Sequence, residues 1–123
     1  MVVNVLRLKI TVILLATILL GSGCSNDLCS NTELNRVTSP SGEYDAVIFS
    51  RNCGATTKEA LHLSIMESGE KLDNSAGNVY TTYDRITVSW DDDRKITVDG
   101  SSEGDDVFQA KTKYKQISIV YRE

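Results

Sequence analysis

From residue 34 to residue 121 the chain consists of short runs in which apolar and polar residues alternate, separated by clusters of Gly, Ser, Asn and Asp. Successive side chains of an extended strand point to opposite faces, so this period of two suits half-buried sheets rather than helices. Residues 34–38 are the first candidate strand. Ser39-Pro40-Ser41-Gly42 follows as a turn, with Pro presetting φ and Gly accepting a positive one. Residues 44–50 (YDAVIFS) make a strong strand whose centre is apolar on both faces. Leu61, Leu63 and Ile65 alternate with His62, Ser64 and Met66. Residues 78–83 form a weaker strand. Ile86, Val88 and Trp90 alternate with Thr87 and Ser89, Asp91-Asp92-Asp93 turns the chain, and Ile96 and Val98 flank Thr97. Runs 107–113 and 116–121 complete the set. No segment has a convincing amphipathic helix. Close spacing leaves little room for parallel crossovers, so the pattern predicts antiparallel pairing. The expected fold is all-β: a small sandwich or curved meander sheet of seven to eight strands, preceded by an N-terminal signal helix.

That opening helix is set apart by its own pattern. Arg7 and Lys9 precede an apolar run from residue 10 to residue 20, then Gly21-Ser22-Gly23 and Cys24. The apolar run would span about 16 Å as a helix, against about 30 Å for a bilayer core. A charged start, a short apolar helix and small residues are the three parts of an export signal. With the Cys, the segment resembles a lipobox, the cleavage and lipidation site of bacterial lipoproteins. Ser22 and Gly23 match that site, and Gly21 stands where it has Leu. The resemblance implies cleavage before Cys24 and acyl chains on its sulfur. The division expected is therefore a signal peptide at 1–23, a polar tether at 24–33 and a β-domain at 34–123.

The chain has three cysteines, Cys24, Cys29 and Cys53. If Cys24 carries lipid, two remain, and an oxidising compartment would let them bond. Such a bond would close a loop worth ~3 kcal/mol of chain entropy. Two free thiols, or a crosslink through Cys24, are the alternatives. Without Arg7 and Lys9, 11 basic residues face 17 acidic ones, leaving a net charge of −6. An acidic domain is a poor nucleic-acid binder, and it has little electrostatic attraction to anionic lipid. Membrane attachment would come from acyl chains.

The most specific stretch runs from Ser39-Pro40-Ser41-Gly42 through Ala46-Val47 and Phe49 to Arg51-Asn52-Cys53-Gly54-Ala55-Thr56-Thr57. It resembles a family of small uncharacterised bacterial exported proteins and lipoproteins with a Ser-Pro-x-Gly turn, an Ala-Val-x-Phe strand and an Arg-x-Cys-Gly-Ala-Thr-Thr loop. The likeness is good over 29–65 and loose beyond. It implies export, a Cys29–Cys53 bond and a β-rich domain, and no substrate. Arg51, Asn52, Gly54, Thr56 and Thr57 form a candidate binding loop: Arg51 offers a fork of donors for a carboxylate or phosphate, and Gly54 allows close backbone approach. The plainer reading is that Arg51 pairs with an acid across the sheet while the threonines satisfy backbone groups.

Other chemistry is thinner. Asp91, Asp92 and Asp93, with Glu103, Asp105 and Asp106, lack the spacing and terminal Glu of a calcium loop. His62 is the only histidine, without zinc-ligand company or a Gly-x-Ser-x-Gly elbow. Trp90, Tyr44 and Phe49 read as core. Tyr80, Tyr83, Tyr114 and Tyr121 would make a sticky face if they shared one. The expectation is a membrane-anchored lipoprotein at the cell membrane or outer membrane, facing an extracytoplasmic compartment. It would act as a non-catalytic binding or structural module of the envelope. No catalytic residue, metal or cofactor is assigned, and an envelope protein is the expected partner. The alternative is a small exported hydrolase or metal-assisted enzyme using His62 and nearby carboxylates.

Overall fold

The computed structural model describes residues 28–54, 58–101 and 106–123. The signal segment, Cys24, Thr56, Thr57, Glu103 and Asp105 lie outside them. The described residues contain nine strands and no helix: β1 (Ser30–Thr38), β2 (Tyr44–Asn52), β3 (Ala60–Glu67), β4 (Tyr80–Thr82), β5 (Thr87–Asp92), β6 (Lys95–Asp99), β7 (Val107–Ala110), β8 (Lys113–Tyr114) and β9 (Ile117–Arg122). The fold is all-β. One sheet has the order β1-β2-β3-β4-β7 and the other β5-β6-β9-β8. Their inner faces share one core. Ala46, Ile48, Leu63, Ile65 and Tyr80 come from the first sheet, and Val88, Ile96, Val98, Ile117 and Ile119 from the second. Each such side chain, removed from water, contributes roughly 1.5–3 kcal/mol in the larger aliphatic cases.

Register carries the alternation into three dimensions. Ala46 lies opposite Ile65 and Ile48 opposite Leu63, facing the core, while Val47 faces Ser64 and Phe49 faces His62 on the reverse side. Trp90 donates its indole N–H to the Val37 carbonyl at 2.8 Å, tying β5 to the first sheet. At the turn before β2, Gly42 sits at φ +78° and donates to the Ser39 carbonyl at 2.8 Å. The Ser39 hydroxyl accepts the Tyr44 N–H at 3.1 Å.

Three expectations change. Strand β1 begins at Ser30, because residues 30–33 pair with Phe49 to Asn52. The polar stretch expected as tether to residue 33 is thus partly sheet. The run 107–113 is not one strand: it divides into β7 and β8, which belong to different sheets. Pairing is also not wholly antiparallel, since β6 and β9 are parallel, with Ile96 opposite Ile119 and Val98 opposite Tyr121. Between them the chain visits the first sheet as β7 and returns through β8, and that excursion is long enough to serve as the crossover a parallel pair requires.

Cys29 and Cys53 are joined by a disulfide. It lies just past the Ser30–Asn52 pair, at the end of the β1–β2 hairpin opposite its turn.

Candidate functional site

The apolar centre of β2 on both faces requires a cover for the reverse side of the first sheet. The β3–β4 connection supplies it. Val47 and Phe49 are wholly buried there, and His62 and Ser64 nearly so. The connecting strap starts where the Gly69 N–H donates to the Asp45 carboxylate at 3.1 Å. It crosses to the disulfide end, where the Asn31 side chain donates to the carbonyls of Asp73 (2.9 Å) and Ser75 (2.7 Å) and the Asn74 amide donates to the Cys29 carbonyl at 2.8 Å. Returning, the Gly77 N–H donates to His62 Nδ1 at 3.0 Å and the Asn78 N–H to the Ser64 hydroxyl at 3.1 Å. A side chain at Gly77 would meet the His62 Cβ and the Leu63 carbonyl oxygen at 2.9 Å, so only glycine permits this approach.

Beyond Leu63, where its pairing with β4 ends, β3 runs on with an open edge. Asn78 takes the place of a neighbouring strand: its side-chain oxygen accepts the Ile65 N–H and its amide donates to the Ile65 carbonyl, both at 2.9 Å. Past this point lies a cavity of about 320 Å³ bounded by Met66, Glu67, Glu70, Leu72, Tyr114 and Lys115. Its volume falls in the range of small-ligand pockets. Lys115 holds φ at +51°, the left-handed region where non-glycine residues are uncommon. Its ammonium lies 5.6 Å from the Tyr114 ring centre and 5.9 Å from that of Tyr44. A second cavity, about 420 Å³, opens on the β1 side of the strap beside Glu33, Arg36 and Lys71. Leu72 borders both cavities.

A buried ionic node anchors the strap. The Asp45 carboxylate, 3% exposed, accepts from Arg36 Nη1 and the Thr38 hydroxyl at 2.7 Å, and from the Ser68 hydroxyl at 3.3 Å. Burial would raise its pKa, but the hydrogen bonds from Thr38, Arg36 and Gly69 and the Arg36 charge together hold it down at about 2. Arg36 also grips Glu33 with two nitrogens at 2.9 Å. Those hydrogen bonds, first to Glu33 and then to Asp45, raise the guanidinium pKa further. Asp45 is the structural centre that the sequence reading passed over. Its signal was an acid at a strand position flanked by apolar residues.

The expected binding loop is only partly described. Arg51 donates through Nη1 to Asn31 Oδ1 (2.8 Å) and to the Asn74 carbonyl and side-chain oxygens (3.1 and 3.2 Å). Its partners are thus amide groups holding the strap rather than an acid across the sheet. Asn52 accepts the Gly54 N–H at 3.0 Å, and Gly54 stands at φ +131°. His62 is enclosed. Its ring stacks on Phe49 at 5.3 Å and 15°, and the Thr81 hydroxyl approaches Nδ1 at 3.0 Å. Because Nδ1 accepts from Gly77, the neutral ring carries its proton on Nε2. Burial, and then the Arg51 charge, lower its pKa.

The three aspartates at the β5–β6 hairpin are all engaged, Asp91 and Asp92 at the end of β5 by groups of the same hairpin and Asp93 by the distant β1–β2 turn. Asp91 accepts from the Thr97 hydroxyl (2.7 Å), Asp92 from the Arg94 N–H (2.7 Å) and Asp93 from the Ser41 N–H (2.6 Å). Among the described residues no group of three His, Cys, Asp or Glu is arranged to hold a metal. The tyrosines do not share a face. Tyr80 and Tyr121 pack in the interior with ring centres 4.9 Å apart. Tyr83 meets Phe108 near the disulfide end, and Tyr114 borders the cavity.

A family of unknown function, DUF5412, matches residues 1–117, and the chain belongs to this family. No curated protein and no solved structure matches it.

Proposed function

We propose that this member of DUF5412 is a lipid-anchored envelope protein, held by acyl chains on Cys24, whose β-domain binds another envelope component without catalysing a reaction. The observation that carries the reading is the partnering of the sulfurs. Cys29 and Cys53 bond to each other, leaving Cys24 as the one remaining thiol, directly after Gly21-Ser22-Gly23 at the end of an apolar run. A persistent disulfide accords with an oxidising compartment outside the cytoplasm.

For the domain, the cavity beside the open edge of β3 is the natural contact region. It combines an apolar floor (Met66, Leu72), carboxylates (Glu67, Glu70) and an aromatic wall (Tyr114). It runs along the strap from Asp73 and Ser75 to Glu67 and Lys115, and its Glu67–Lys115 mouth lies at the end of the sandwich opposite the disulfide, the end an anchored protein would turn toward soluble partners. The enclosure of His62 between Phe49, Gly77 and Thr81 supports a packing role for that ring.

Mass spectrometry of the mature N-terminus tests the anchor: a diacylglyceryl thioether on Cys24 is expected, and an unmodified Cys24 would refute it. Crosslinking from cells through the cavity, with Glu70→Gln and Leu72→Ala compared against the natural chain, tests the binding role. A single envelope product weakened by both variants is the expected result. A crosslinking pattern that neither variant alters would remove the cavity from the proposal.

A further inference from the structure

The end of the sandwich that carries the disulfide gathers residues from several connections. Strand directions bring the start of β1, the ends of β2 and β4, and the starts of β3 and β7 together there. Two of the four exposed large apolar side chains among the described residues lie at this end, Leu28 at 80% and Phe108 at 56%, while Leu34 stands midway along β1. Phe108 lies edge-on to Tyr83, ring centres 4.8 Å apart, and the Lys58 ammonium sits 4.2 Å from the Tyr83 ring centre. An apolar ring, an amphipathic ring and a snorkelling amine are the side chains that favour the boundary between lipid tails and headgroups.

From this arrangement we infer that the Leu28–Lys58–Tyr83–Phe108 surface rests on the lipid headgroup region of the membrane that holds the anchor. The inference builds on the proposed lipidation of Cys24. Only residues 25–28 separate Cys24 from the disulfide-fixed Cys29, and a fully extended chain of that length spans at most ~18 Å. The domain is therefore leashed by this end, while a nine-residue strand such as β1 carries the opposite end roughly 30 Å farther. Charge at the leashed end is mixed. Among the described residues Arg51, Lys58 and Arg85 stand with Glu59, Asp84 and Asp106, and Arg122 pairs with Asp99. The contact is accordingly apolar and aromatic, indifferent to lipid charge and little affected by salt.

The test uses the full lipidated protein in phosphatidylcholine vesicles, some carrying brominated acyl chains that quench tryptophan. In a Trp90→Phe background, a reporter at Phe108→Trp is compared with one at Ser41→Trp on the opposite end. Vesicle flotation is scored in parallel. Expected is flotation with Phe108→Trp emission shifted to the blue and quenched at least about twofold more than Ser41→Trp, at low and high salt alike. Flotation with equal quenching at the two positions would overturn the inference and leave the anchor standing. Failure to float would end both. Because a new tryptophan itself favours the interface, hydrogen exchange on the unsubstituted chain is the second readout. Slower exchange at Tyr83 and Phe108 on vesicles than in detergent-free Cys24→Ser protein supports the contact, and unchanged exchange refutes it.

Discussion

Replacing Asp45 by Asn tests the node that fastens the strap. The side chain keeps its size but loses its charge and presents an amide to the donors of Arg36, Thr38 and Gly69. The carboxyl pKa is 3.8 in its unperturbed state and about 2 in the fold. At about 1.4 kcal/mol per tenfold change in an equilibrium, ionised Asp45 contributes on the order of 2–3 kcal/mol of stability at neutral pH. The folded pKa is depressed, so this stability is fully present above the unfolded value. It is lost as pH falls through 3.8 toward 2. Urea unfolding followed by the emission of Trp90, the single tryptophan, should show Asp45→Asn less stable by about 2–3 kcal/mol at pH 7. The gap should narrow to roughly half that size near pH 3, where the unfolded chain is already largely protonated. A gap below about 0.5 kcal/mol at pH 7, the level of ordinary surface substitutions, would refute the reasoning. So would a gap that stays constant down to pH 2.

Other outcomes follow from the same geometry. Replacing Cys29 and Cys53 together by Ser should cost about 3–4 kcal/mol on the chain-entropy account, read as a lower urea midpoint, and an unchanged midpoint would contradict it. Gly77→Ala should destabilise by about 1–3 kcal/mol because its methyl group would press on His62 and Leu63, and thermal unfolding would register the loss. The His62 imidazole, followed by NMR, should titrate below its ordinary value of 6.5. Its share of stability should be intact above pH 6.5 and fall away as pH drops below it, since the unfolded chain takes up the proton first. A midpoint at or above 6.5 would show that the ring is not enclosed as described.

Strands were legible where one face of a segment meets the core and the other meets water. Ile86, Val88 and Trp90, and Ile117 and Ile119, kept their alternation for that reason. The strap was not legible, because residues 68–78 read as turn formers and hold their place through backbone groups and amides rather than a periodic apolar stripe. One trace of it was visible: β2 is apolar on both faces, and a doubly apolar strand demands a second cover. The parallel partnership of β6 and β9 left no such trace, since alternation tells which face is buried and nothing about which strand lies alongside. Arg51 stood out because it lies in a specific motif, yet its bonds go to Asn31 and Asn74. Asp45, the more consequential charge, sat unremarked inside an apolar strand.

The place of β9 in the second sheet bears on when this protein can fold. It lies between β6 and β8 and puts Ile117 and Ile119 into the common interior. Until residues 117–122 have been made, half of the sandwich lacks its middle. A ribosome-bound chain can form the β1–β2–β3 meander early, but the second sheet must wait for residues 117–122. Completion is thus set by a contact between distant parts of the chain, the slow kind of closure. A chain made only as far as residue 116 therefore keeps its second sheet open, without the β6–β9 and β8–β9 pairings that close it.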